Sequence, residues 1–169
     1  MTALRKDEEG KVESWISELA SNDGLVRQKA REHLVQMGHR VTAKLVELLK
    51  SRDDTLRWEA AKALEEIADP AAAEPLVNAL KDEEYDVRWL AAEGLIAMGH
   101  MALPPLLEAL IEDPESVALR EGSHHVLRDV YKASLRSLLS PLIKALESAD
   151  AEEKAPVAAY DVLRALKKR

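Results

Sequence analysis

The chain has 169 residues, 47% hydrophobic and 33% charged, with a formal net charge of -7 and no cysteine. The missing cysteine excludes disulfides, thiol catalysis and cysteine-ligated metals. The acidic balance argues against the basic footprint that nucleic acid requires. Aromatic residues amount to 4% and phenylalanine is absent, so the core must come from Leu, Ala, Val, Ile and Met, a set suited to closely packed helices.

In chain order, the start from Met1 to Gly10 is charged and lacks the apolar segment of a secretion signal. No apolar run reads as long enough to span a membrane. These features predict a cytoplasmic, unprocessed protein. Residues 5–20 carry Trp15, Ile16 and Leu19 and predict a capping helix with Trp15 in the N-terminal core.

A pattern then recurs over residues 22–50, 52–81, 83–112 and 114–148. Its markers are Val26-Arg27, Leu56-Arg57, Val87-Arg88 and Leu119-Arg120, with the arginines 30, 31 and 32 residues apart. Three and seven residues after each arginine stand Ala30 and Leu34, Ala60 and Leu64, Ala91 and Leu95, Ser123 and Leu127. Met37, Ile67, Met98 and Val130 extend the same stripe, which has the spacing of one buried helix face. Breakers follow at Gly38-His39, Asp69-Pro70, Gly99-His100 and Tyr131-Lys132. A second helix comes next, anchored on Leu45 and Leu49, Leu76 and Leu80, Leu106 and Leu110, Leu142 and Leu146.

Each unit therefore reads as helix A, tight turn, helix B. Asp23, Asp53, Glu84 and Ser116 stand four residues before the arginines, where Asp and Ser serve as N-caps and the acids as i, i+4 ion-pair partners. His39 and His100 share one slot and read as turn or helix-B capping residues, with Asp69 in that role between them; His33 reads as a boundary residue. Helix B of the fourth unit is expected from Ser134 to Ser148, kinked at Pro141. Residues 151–168, with Val157, Leu163 and Leu166, predict an unpaired final A helix. The whole is one all-α domain over 1–169: a right-handed α-α superhelix of about ten helices in antiparallel pairs.

The pattern Asp-x-x-x-Arg-x-x-Ala-Ala-x-x-Leu, a Gly or Asp-Pro turn, then Pro-Leu-x-x-Ala-Leu resembles the short HEAT-like repeats of phycobilin lyases. It is clearest over Asp53 to Leu80 and Glu84 to Leu110. The resemblance implies a HEAT-like solenoid. It leaves function open, because such repeats serve adaptors, lyase subunits and metal-dependent hydroxylases. The deoxyhypusine hydroxylase branch is marked by iron-binding His-Glu dyads on helix A. Here those places read Arg57-Trp58-Glu59 and Arg88-Trp89-Leu90, with tryptophan where histidine is expected. His124 and His125 are adjacent and diverge by about 100° on a helix, so they are not expected to share a metal. No cofactor or metal site is expected, and no catalytic pair stands out among the dispersed carboxylates.

The reading is a non-catalytic protein-protein scaffold, adaptor or assembly factor, a monomer or weak dimer that binds another protein. Its alternative is a cofactor-attachment subunit or chaperone resembling the bilin lyases. Candidate contacts on the outer side of the B helices are Lys44, Glu47, Asn78, Glu108 and Lys144. Trp58 and Trp89, each one residue after the repeat arginine, are the second candidate set: either a binding pair or covers for Ala61 and Ala92.

Overall fold

The helix starts follow from local chemistry. Asp23 accepts a hydrogen bond from the Leu25 amide at 2.8 Å, and Asp53 accepts from Thr55 and Leu56 at 2.9 and 3.3 Å. Ser116 accepts from Leu119 at 3.3 Å. Each satisfies an amide that the first helical turn leaves unpaired. Glu84 does not cap with its side chain; Asp82 accepts the Glu84 amide instead.

A computed structural model describes residues 5–130 and 135–168. The helices are α1 (Lys6–Glu18), α2 (Gly24–Met37), α3 (Thr42–Leu48), α4 (Asp54–Ile67), α5 (Ala73–Ala79), α6 (Tyr85–Met98), α7 (Leu103–Glu112), α8 (Val117–Val130), α9 (Arg136–Leu146) and α10 (Ala151–Leu166). The fourth breaker pair, Tyr131-Lys132, lies outside the described residues, as does Ser134 at the expected start of α9. The described residues form an all-α solenoid with no strand. The A helices α2, α4, α6 and α8 pack in succession, and α3, α5 and α7 form a second layer. The predicted stripe is buried: Ala30, Leu34, Ala60, Leu64, Ala91, Leu95, Ser123 and Leu127 are fully covered.

The C-terminal part departs from the repeat. α10 packs against α7 and α9, so it lies in the B layer. The expected unpaired A helix is therefore corrected: α10 takes the place beside α7 that α9 would hold in a regular fourth unit. α9 runs through Pro141 without the expected break. The stretch Tyr85–Glu112 also corrects the reading of apolar runs, since it is long and apolar enough by composition to cross a membrane, with mean hydropathy 1.5. It is bent at Gly99 (φ 62°), and α6 and α7 each bury a face against neighbouring helices.

The four repeat arginines share a role that their acid neighbours do not explain. Each folds back and donates to the carbonyl six residues earlier: Arg27 to Ser21, Arg57 to Ser51, Arg88 to Asp82 and Arg120 to Pro114. Those carbonyls lie in the turns leading into each A helix. The arginine thus staples a unit to the connection before it, and the i, i+4 ion pair is not what it makes. A charge-assisted bond to a carbonyl stabilises more than a neutral one.

The turn after helix A needs a positive φ. Gly38 and Gly99 supply it (φ 60° and 62°), whereas the equivalent residue of the second unit is Ala68, at φ 50°. A left-handed alanine costs about 1–2 kcal/mol, partly offset because glycine is freer in the unfolded chain. Ala68→Gly is expected to raise stability by about 0.5–1 kcal/mol in urea unfolding. Asp69 caps the next turn through the Ala71 amide and accepts the Thr42 hydroxyl at 2.7 Å. His39 and His100 lie exposed in the turns after helix A, as one of their two expected roles has it, and cap nothing there.

Ser123 replaces the stripe alanine in the fourth unit. Its hydroxyl is buried without a hydrogen-bond partner among the described residues. Such a group costs about 1–3 kcal/mol, so Ser123→Ala is expected to stabilise by about 1 kcal/mol in the same assay.

α1 is tied down by Glu8. Its carboxylate accepts the Arg5 amide at 3.0 Å and Arg40 at 3.1 Å from the turn after α2. The Arg5 amide, then the two guanidinium groups, hold Glu8 at about 2, below the ordinary 4.5. Because the folded value is depressed, its contribution is present above about 4.5 and is lost as pH falls toward 2. Trp15 on α1 stacks on His33 of α2 at 4.8 Å, so its fluorescence should report loosening of α1 in that window, and Glu8→Gln should abolish the transition.

Candidate functional site

Trp58 and Trp89 occupy the same repeat position, yet the structure gives them different surroundings. Trp58 on α4 is half-buried against Ala61, Val87 and Leu90, and Arg31 lies 5.5 Å over its ring. Trp89 on α6 is 45% exposed. It stacks on Tyr85 at 6.5 Å and on His125 of α8 at 4.8 Å. Among the described residues the two indoles make no ring contact with each other.

The difference has a cause two residues after the repeat arginine. Leu90 stands there in the third unit and packs over Trp58. The fourth unit has Gly122 at that position. A Cβ at Gly122 would come within 2.9 Å of Leu80 Cδ2, so the Leu80 side chain leans into the freed space. What remains is a cleft of about 270 Å³ between α6 and α8, lined by Trp89, Tyr85, Leu80, Ala92, Glu121 and His125. The apolar floor of Leu80 and Ala92 is buried, and the aromatic wall of Trp89 and Tyr85 is exposed.

Polar groups fix the cleft's edge. His125 Nε2 lies 3.0 Å from Glu93 Oε1, and its Nδ1 lies 3.8 Å from Asp129. His124 turns the other way, to Glu147 at the C-terminal end of α9, at 3.0 Å. The neighbouring groove between α4 and α6, about 300 Å³, is lined by Asp54, Glu84 and Asp86 as well as Trp58. At its base the buried Glu59 accepts from Arg27 Nε at 2.9 Å and from Arg31, so its charge is compensated from two sides.

The B-helix candidates are scattered. Lys44 is ion-paired with Glu13 of α1, and Glu47 pairs with Lys50 at 2.9 Å. Asn78 is exposed beside Pro75 in a groove of about 390 Å³ that also contains Leu49 and Val46. Glu108 is exposed on α7. Lys144 is exposed on α9, but α10 occupies the place beside α7, so Lys144 does not continue the ladder. Tyr85, His125 and Gly122 were not singled out from the sequence as binding residues. The comparison of Leu90 with Gly122 in register is the signal that marks them.

HEAT repeats match residues 12–95, and the PBS lyase HEAT-like repeat matches residues 87–112. The chain is similar to the phycocyanobilin lyase subunit alpha of Picosynechococcus sp. (strain ATCC 27264 / PCC 7002 / PR-6), 36% identical over 84 residues, covering 49% of this chain and 31% of that protein. It is also similar to the phycocyanobilin lyase subunit alpha of Synechococcus elongatus (strain ATCC 33912 / PCC 7942 / FACHB-805), 38% identical over 72 residues, covering 42% and 26%. The chain thus spans about a third or less of the length of these curated relatives.

Proposed function

Because the chain belongs to the HEAT-repeat family, with short repeats of the PBS lyase type, we propose that it is a non-catalytic scaffold, adaptor or assembly factor that holds another protein. The observation that carries this reading is the exposed Trp89, stacked between Tyr85 and His125 on the ridge of A helices. Tryptophan is costly to leave in water and dominates binding hot spots when a partner covers it. The reading includes a cytoplasmic monomer or weak dimer.

The test is capture from the native host. The wild-type chain should retain a polypeptide in stoichiometric amount, and Trp89→Ala should lose it with helical circular dichroism unchanged. Undiminished capture by the variant would overturn the role of this surface.

The names of the curated relatives support a second reading, a cofactor-attachment subunit or chaperone. Incubation with phycocyanobilin followed by gel filtration separates the two. A visible absorption band that travels with the chain would favour attachment chemistry over the scaffold.

A further inference from the structure

We infer that the cleft between α6 and α8 seats an apolar side chain from a basic segment of a partner protein, with Glu121 receiving that segment's lysine or arginine. This names the partner chemistry for the protein-binding reading and rests on it.

The repeat register supplies the apolar half of the argument. In the preceding groove, Leu90 forms an apolar cluster with Ala61 and Val87, against which Trp58 and Leu49 pack. One groove later the equivalent residues are Trp89, Ala92 and Leu119, and the leucine is replaced by Gly122. Leu119 is buried and Ala92 nearly so, while Trp89 keeps an uncovered face. Leu80 fills the space that a side chain at Gly122 would take, but the outer face of Trp89 stays uncovered, and an aliphatic group brought by a partner would cover it. The cleft, about 270 Å³, has room for one inserted side chain.

Charge supplies the other half. The repeat arginines are turned back onto turn carbonyls, as described above. Arg88, the cation nearest the cleft, donates to the Asp82 and Glu83 carbonyls and lies 5.5 Å over the Tyr85 ring. Among the described residues no cation pairs with Glu84, Asp86 or Glu121, all exposed. Glu121 lines the Trp89 cleft, while Glu84 and Asp86 line the groove beside it. His125 already faces Glu93 and Asp129. A basic segment laid along this ridge meets unpaired carboxylates on both sides of Tyr85, and its cation gains further from the aromatic faces. An acidic segment is repelled there, and so is a second copy of a chain with net charge -7.

The test selects short random peptides displayed on phage against the wild-type chain and counter-selects against Trp89→Ala. Enriched peptides should share an aliphatic residue beside lysine or arginine. Synthetic versions should bind about tenfold more weakly to Glu121→Lys, and more weakly at high salt. Both substituted positions are exposed, and circular dichroism checks each variant's fold. An acidic consensus, peptides indifferent to Trp89→Ala, or self-association abolished by Trp89→Ala would each overturn the inference. If host capture depends on Trp89 but the peptides are acidic, the partner chemistry fails and the protein-binding reading stands. If neither a host protein nor a peptide binds, both fail.

Discussion

Arg57→Ala should lower the unfolding free energy by about 3–5 kcal/mol, the cost of leaving one member of a buried ion pair without its partner. Arg57 is 6% exposed. Its Nε and Nη2 form a two-pronged contact with Asp82 at 2.8 and 3.0 Å, Nη2 also reaches Glu83 at 3.1 Å, and Nη1 donates to the Ser51 carbonyl at 3.0 Å. The Asp82 carboxylate pushes the guanidinium still further toward its charged form. Removing the arginine strands Asp82, whose side chain is itself 10% exposed, and frees the turn that joins two units. Arg57→Lys should recover only part of the loss, since an ammonium cannot make the planar fork. Arg88→Ala is the matched control. That arginine has the same backbone staple but no buried carboxylate, so its loss should cost about 1 kcal/mol, the scale of an ordinary hydrogen bond. Thermal unfolding would read the Arg57 variant as a drop of roughly 6–20 °C, taking 2–4 °C per kcal/mol for a chain of this size. Equal effects at the two arginines would refute the assignment.

The arginine ladder also shows what the sequence could and could not disclose. The period of 30–32 residues and the alternation of helix and breaker were readable, because the buried stripe must recur every helical turn wherever A helices stack. The partner of each arginine was not, because its acceptor is a backbone carbonyl that leaves no side-chain signature. Spacing alone favoured the acid four residues earlier. The C-terminal deviation was partly legible: Pro141 and the longer interval marked the fourth unit as irregular, but only packing against α7 shows that α10 has moved into the B layer. The candidate site divides similarly. Trp58 and Trp89 were visible as a pair, and their inequality was encoded two residues after each repeat arginine, in Leu90 and Gly122. Tyr85 and His125 gain meaning only from the 4.8 and 6.5 Å ring contacts that enclose Trp89.

That inequality predicts opposite outcomes for two identical substitutions. Trp58→Ala removes a ring packed on Ala61, Val87 and Leu90 and leaves Arg31 without its aromatic cover. Full truncation of a core tryptophan costs about 3–5 kcal/mol. Trp58 is half-buried, so about 2–3 kcal/mol is expected, with little change in partner capture once the variant is held below its unfolding temperature. Trp89→Ala removes a ring that is 45% exposed and supported mainly by Tyr85 and His125. Its stability cost should stay below about 1 kcal/mol, within the range of surface changes that break only a few contacts. Binding should fall by about 2 kcal/mol or more, the threshold of a hot spot, which is roughly thirtyfold in affinity. Unfolding curves and partner capture on both variants decide the matter together. If Trp58→Ala were mild in stability and severe in binding, the functional surface would lie in the α4–α6 groove, and the exposure of Trp89 would be a packing accident of the irregular fourth unit.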